Sequence, residues 1–184
     1  MVVSESMEER LARAFVREVP KLNSTVTLVE YDPAWPGLFE REEARIRGAL
    51  GPVAVVLEHV GSTSVPGLAA KPIVDVVLGV PDSTDEAAYV PPLEAAGYVL
   101  RIREAEYEHR LFKGPDTDVN LHVYSADCPE IAKMVRFRDR LRAVPEDREL
   151  YERTKRELAA RTWTYVQEYA DAKTSVVTAI GARA

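Results

Sequence analysis

The chain has 184 residues and a formal net charge of −6, and is 46% hydrophobic, 29% charged and 8% aromatic, the balance of an ordinary globular domain with a sizeable core. That charge excludes a general nucleic-acid coat, because neutralising phosphates takes clustered Lys and Arg, and a lone cysteine, Cys128, excludes a disulfide framework or a cysteine-rich zinc module. No apolar run approaches the ~20 residues of a membrane span and no signal-peptide core opens the chain, so a cytoplasmic protein without a membrane partner is expected.

Residues 1–24 are charged and weakly amphipathic. Leu11, Ala14, Phe15 and Val19 fall at helical spacing before Pro20, which predicts a short helix or extension ahead of one domain over residues 25–184. Val26 to Tyr31 alternates as a strand and Asp32-Pro33 breaks it. Trp35 to Leu50 is an amphipathic helix, with Pro36 in its first turn and Gly51-Pro52 closing it. Val53 to Leu57 reads as a strand whose polar end is Glu58 and His59, and Ile73 to Val80 as a second. After a loop over Pro81 to Thr84, the pattern predicts a helix broken at Pro91-Pro92 and ended at Gly97. Strands at Tyr98–Arg103, His109–Phe112 and Val119–Tyr124, with a turn at Gly114-Pro115-Asp116, predict an antiparallel meander joined to the earlier pair. The fold class is therefore α/β (α+β): a mixed sheet of five or six strands flanked by helices. A helix over Glu130 to Ala143 follows. A long one is then expected from Pro145 to at least Ala170, with Leu150, Leu158, Trp163, Val166 and Tyr169 as its apolar positions and Gly181 near the stop.

Chemistry concentrates between His59 and Val80. Gly61, Ser62, Thr63 and Ser64 offer backbone N–H groups and hydroxyls before a Pro66-Gly67 breaker, and a helix start after them would add its positive end. Asp75 is the only charge in a β-branched run, and a carboxylate there needs a partner, a metal or solvent. An anion cradle facing an acid able to hold a divalent cation is a recurring arrangement for phosphoryl and nucleotidyl transfer. Lys71 is placed to reach phosphates. Arg138 or Arg142, on a helix that also carries Arg136 and Arg140, is suited to grip one in a bidentate manner. Asn120 and His122 alternate to one face of their strand, where His122 serves as ligand or base. Glu58 is a candidate supplementary acid, His59 a loop support, His109 part of an exposed edge patch with Arg110 and Lys113, and Lys155, Tyr165 and Lys173 are possible cavity donors.

The glycine-serine turn followed by an acid-bearing strand resembles the nucleotidyltransferase superfamily of the DNA polymerase β type. More narrowly, HVGSTSVPGLAAKPIVDVVLGV, together with VEYDPAWPGLFEREEARI, NLHVY, RFRDRLRA and KRELAAR, resembles the GrpB family over residues 26–180. The resemblance implies that Gly61 and Ser62 hold nucleotide phosphates and that Asp75 is the first metal-binding carboxylate. It places Val77 where the superfamily carries a second acid, and Asn120 or His122 on the strand of the third. The expected metal set is Asp75 with His122 or Glu58 standing in for the missing acids, with Mg²⁺ or Mn²⁺ and a nucleoside triphosphate as substrate. The leading expectation is an enzyme that transfers a nucleotidyl or phosphoryl group to a small acceptor, with Asp75 and His122 catalytic. Two alternatives stay open: a nucleotide or phosphometabolite binding module without turnover, and a biosynthetic enzyme in which Asp75 and His122 do acid–base work.

Overall fold

A computed structural model describes residues 5–184, so residues 1–4 of the expected extension lie outside the described residues. Helix α1 (Met7–Ala14) opens on a capping box: the Ser6 hydroxyl accepts the Glu9 N–H, and the Glu9 carboxylate accepts the Ser6 N–H at 2.8 Å. The helix stops before Phe15, which forms an antiparallel bridge with Ile102, so the apolar spacing through Val19 is not all helical.

Helix α2 (Trp35–Leu50) has the expected bounds, because Pro36 fits a first turn and Gly51 takes a positive φ at its end. Strands β1 (Val56–Val60) and β2 (Val74–Val80) pair antiparallel. β1 starts three residues later than expected because a 3-10 turn occupies Gly51–Val53, and Glu58 and His59 therefore sit inside the strand. Helix α3 (Val90–Ala95) begins at the two prolines rather than breaking there, again a first-turn position where proline is tolerated. Strands β3 (Val99–Arg103), β4 (Arg110–Lys113) and β5 (Val119–Ser125) form the meander. β5 lies parallel to β2, which gives one five-stranded mixed sheet in the order β1-β2-β5-β4-β3. Helix α4 (Pro129–Ala143) follows.

Two expectations fail. Val26 to Tyr31 is not a strand: Val26 donates its N–H to Ala159 O and buries its side chain with Leu158 and Tyr169, and only Val29 bridges Ala70. The long C-terminal helix is three: α5 (Pro145–Ala159), α6 (Val166–Ala172) and α7 (Thr174–Gly181). The break is stabilised locally. Trp163 Nε1 donates back to Leu158 O at 2.9 Å, and the Glu168 carboxylate accepts the N–H groups of Thr164 and Tyr165.

Strand alternation divides the core. Val74, Val76, Leu78 and Val80 join Leu121, Val123 and Phe112 against Trp35, Ile46, Leu50 and Leu93 of α2 and α3, an apolar layer that also buries Glu42, bonded to the Tyr98 hydroxyl, and His59. On the opposite face only Val60, Val77 and Tyr124 pack on Ile131 of α4, while α4, α5 and α7 pack mainly on one another around Val65, Leu68, Leu141 and Ile180. The half of that face left uncovered is where the candidate site lies.

Candidate active site

A cavity of about 610 Å³, the size of a small-molecule site, opens on that face. Gly61, Ser62 and Asp75 line one side and Asn120 and His122 the other. The register explains this: Val60 lies opposite Asp75, and Asp75 opposite Asn120, so these side chains share a face. Asn120 Nδ2 donates to Asp75 Oδ1 at 2.8 Å, and His122 Nε2 stands 3.8 Å from the same oxygen. Burial alone would raise the Asp75 carboxyl, but the His122 ring, the Asn120 amide and Lys71 outweigh it and hold it below the ordinary carboxylate range. Gly61, at φ +69°, lets the turn pass directly over Asp75; a Cβ there would come within 2.9 Å of Asp75 Cβ.

The turn is not the expected cradle. Ser62–Ser64 is a single 3-10 turn, not a helix start, and brings no helix dipole. Ser64 Oγ donates to Gly61 O at 2.6 Å. Thr63 Oγ1 donates to Ile73 O at 3.1 Å and so accepts from His59 Nε2 at 3.0 Å, which leaves both hydroxyls committed within the turn. Of the four predicted phosphate contacts here, only Gly61 and Ser62 line the cavity. His59 supports the loop as expected. It is stacked on Phe39 at 4.9 Å, and burial lowers its pKa to about 4.

Arg138 and Arg142 do not reach the cavity, which corrects their assignment as phosphate ligands. Buried Arg138 binds the Glu58 carboxylate at 2.7 Å and His59 O at 2.9 Å, and Arg142 clamps Ser64 O with two nitrogens. Both arginines brace the turn from behind. The same pairing withdraws Glu58 from the metal set, although it lies on the Asp75 face beside Val77. Val77 is itself sealed among Val60, Tyr124 and Ile131. Among the described residues no three His, Cys, Asp or Glu side chains are arranged to hold a metal ion. The donor set therefore does not fit the expected Mg²⁺ or Mn²⁺ centre, and Asp75 and His122 are all that remains of it.

Positive charge comes instead from the C-terminal region, the segment before β2 and strands β3 and β4. Lys71, Lys155 and Lys173 line the cavity with Arg101 and Lys113, and Asp75 is the only carboxylate among the lining residues. Lys155 is 2% exposed; its Nζ donates to Ser62 Oγ at 3.0 Å and to Ala69 O, and lies over the Tyr151 ring. Burial, then the charge of Lys173, lowers its pKa to about 7, and burial likewise lowers Lys71 and Lys173. Phe137, Tyr151, Tyr165 and Tyr169 add aromatic surface.

Two features escaped sequence reasoning. His109 is not on an exposed patch: it is 8% exposed and joins Glu104 to His122. The hairpin turn at Gly114-Pro115-Asp116 was the available signal, because pairing β4 with β5 brings 109 beside 122 and 124. Leu11, Phe15, Val19 and Pro20 of the N-terminal segment also line the cavity, and Arg10 ion-pairs with Asp171 of α6.

Residues 25–183 match the family described as GrpB protein. A UPF0157 protein of Halalkalibacterium halodurans is 58% identical over 96% of this chain and 91% of its own length. A crystal structure of the conserved protein GrpB from Enterococcus faecalis superposes with a TM-score of 0.74 at 29% identity, covering 85% of this chain and 96% of that one. A dephospho-CoA kinase of Mycolicibacterium paratuberculosis is 38% identical over 92 residues, 48% of this chain but 20% of the kinase.

Proposed function

The chain belongs to the GrpB family, and we propose that it is an enzyme of the nucleotidyltransferase type, binding a nucleotide and transferring a nucleotidyl or phosphoryl group to a small acceptor. The observation that carries this reading is the convergence of Lys71, Lys155 and Lys173 on a cavity whose single carboxylate is Asp75. Three half- to fully buried ammonium groups repel one another, and a polyphosphate relieves that repulsion. The tyrosines and Phe137 give a base or another flat group a surface to rest on.

In the reaction, His122 takes the proton of the acceptor hydroxyl, and the freed oxygen attacks phosphorus. The bond to the pyrophosphate or diphosphate leaving group breaks, and the lysines neutralise the charge that group gains. Asp75 orients the hydroxyl and balances the imidazolium that forms. No step runs through a metal.

Isothermal titration of ATP, CTP, GTP, UTP and dephospho-CoA, each with and without Mg²⁺, tests the proposal; the partial match to a dephospho-CoA kinase is the reason for the fifth ligand. Binding by at least one at millimolar affinity or tighter, weakened tenfold or more in Lys71→Met and Lys173→Met, is expected. No binding by any of them to folded protein overturns it. Val77 and the engaged Glu58 favour a second reading, a binding module without turnover. Nucleotide binding that never releases pyrophosphate or diphosphate and is unchanged in His122→Gln would establish that reading instead.

A further inference from the structure

His122 faces the cavity with one ring nitrogen, and its other nitrogen begins a chain of hydrogen bonds that leads away. Its Nδ1 lies 3.1 Å from His109 Nε2, and His109 Nδ1 lies 2.7 Å from the Glu104 carboxylate. The His109 ring is stacked on Tyr124, with centroids 4.7 Å apart and planes 17° from parallel, so it does not turn over to exchange its nitrogens. An ionised carboxylate only accepts, which puts the His109 proton on Nδ1. In its neutral form the ring therefore carries its lone pair on Nε2. That lone pair is the acceptor of the 3.1 Å contact. His122 must therefore donate from Nδ1, and in its neutral form its own lone pair sits on Nε2, on the Asp75 side.

The contacts at the other end agree. Asp75 Oδ1 is already occupied by the Asn120 amide at 2.8 Å, and the 3.8 Å gap to His122 Nε2 is too long for a hydrogen bond. Asp75 therefore acts on Nε2 through its charge alone, and no hydrogen bond at that end competes with the one at Nδ1.

We propose that Glu104 and His109 are positioning residues that lock His122 as its Nδ1–H tautomer and aim its Nε2 lone pair into the cavity, where it receives the proton of the ligand's attacking hydroxyl. The proton passes from the hydroxyl oxygen to Nε2, the oxygen's electron pair becomes the new bond to phosphorus, and the bond from phosphorus to the pyrophosphate or diphosphate breaks, that group leaving with the electron pair against the cavity lysines. Nδ1–H stays donated to His109, and the imidazolium lies between Asp75 and the His109–Glu104 pair. The use of the lone pair rests on the function proposed above, whereas its direction rests on the hydrogen-bond chain alone.

The two are separable by experiment. Long-range ¹H–¹⁵N correlation spectra of ¹⁵N-histidine-labelled full-length protein, recorded without ligand at pH 8, report the tautomer of each ring. His122 as the Nδ1–H form in the wild type is expected, shifting to a mixture or to the Nε2–H form in His109→Phe, which keeps a stacked ring but offers no acceptor. Glu104→Ala, at a side chain that is 47% exposed and so safe for folding, is expected to relax the same preference. His122 found as Nε2–H in the wild type, or unmoved in both variants, overturns the inference. ATP titrations of the same samples supply the second arm. Affinity within about threefold of wild type supports positioning, while a tenfold loss in either variant would make the pair ligand contacts and overturn it. Absence of ATP binding in the wild type would count against the proposed function and leave the tautomer result standing.

Discussion

The two faces of the sheet are built to opposite rules. On one, Val74, Val76, Leu78, Leu121 and Phe112 meet α2 and α3, and the central strands β2 and β5 contribute only apolar side chains; buried His59 of β1, stacked on Phe39, is the polar exception. On the other, the same strands present Asp75, Asn120, His122 and Lys113, and the C-terminal helices cover only part of them. A sealed face supplies most of the burial, about 25 cal/mol per Å² of apolar surface, and so frees the other to carry groups that cost stability. Rigidity and chemistry are thus divided across the thickness of one strand, β2.

Substitutions sort by face. The largest effect is expected where a polar group is forced into the only sealed patch of the chemical face. Val77→Asp should cost about 3–5 kcal/mol in urea unfolding, because its carboxylate would sit unpaired among Val60, Tyr124 and Ile131. Leu121→Ala on the apolar face should cost about 3 kcal/mol and leave nucleotide affinity unchanged. The third test is Lys155. Its folded pKa of about 7 lies below the ordinary lysine value of 10.5, so the unfolded chain binds more protons between those values and stability rises with pH across that window. Between pH 7 and 9 the rise from Lys155 should be about 2 kcal/mol, at 1.36 kcal/mol per unit, with Lys71 and Lys173 adding in the same direction. Lys155→Met should flatten the curve and be no less stable than wild type at pH 7; an unchanged slope would remove the cationic cluster from the account. The smallest stability effect is Gly61→Ala, about 1–2 kcal/mol for the positive φ, accompanied by weaker nucleotide binding as Asp75 is pushed aside.

The apolar face was legible in the sequence, since period-2 and period-3.6 patterns with sharp stops fix β2, α2 and the meander. Gly51-Pro52 and Gly114-Pro115 mark boundaries by local stereochemistry alone. The chemical face was legible only in part. Gly61, Ser62, Asp75, Asn120, His122 and Lys71 do line one cavity, because turn chemistry and alternation are short-range properties. The tasks of Arg138, Arg142, Glu58 and His109 depend on which partner lies across a helix or a hairpin, and Arg138 meets a Glu58 that is 80 residues away. The break after Ala159 stayed hidden for a different reason: no Gly or Pro marks it, and the Trp163 and Glu168 side chains that stabilise it locally also fit a helical pattern.

The reading as a whole turns on what fills the space between the Gly61 turn, Asp75 and the three lysines. A crystal structure of the protein grown with a non-hydrolysable nucleoside triphosphate analogue measures this directly. Phosphate density within hydrogen-bonding distance of Lys71, Lys155 and Lys173, with a hydroxyl or water at His122 Nε2, is the expected result. Nucleotide density elsewhere, with this cavity empty at saturating ligand, would contradict it.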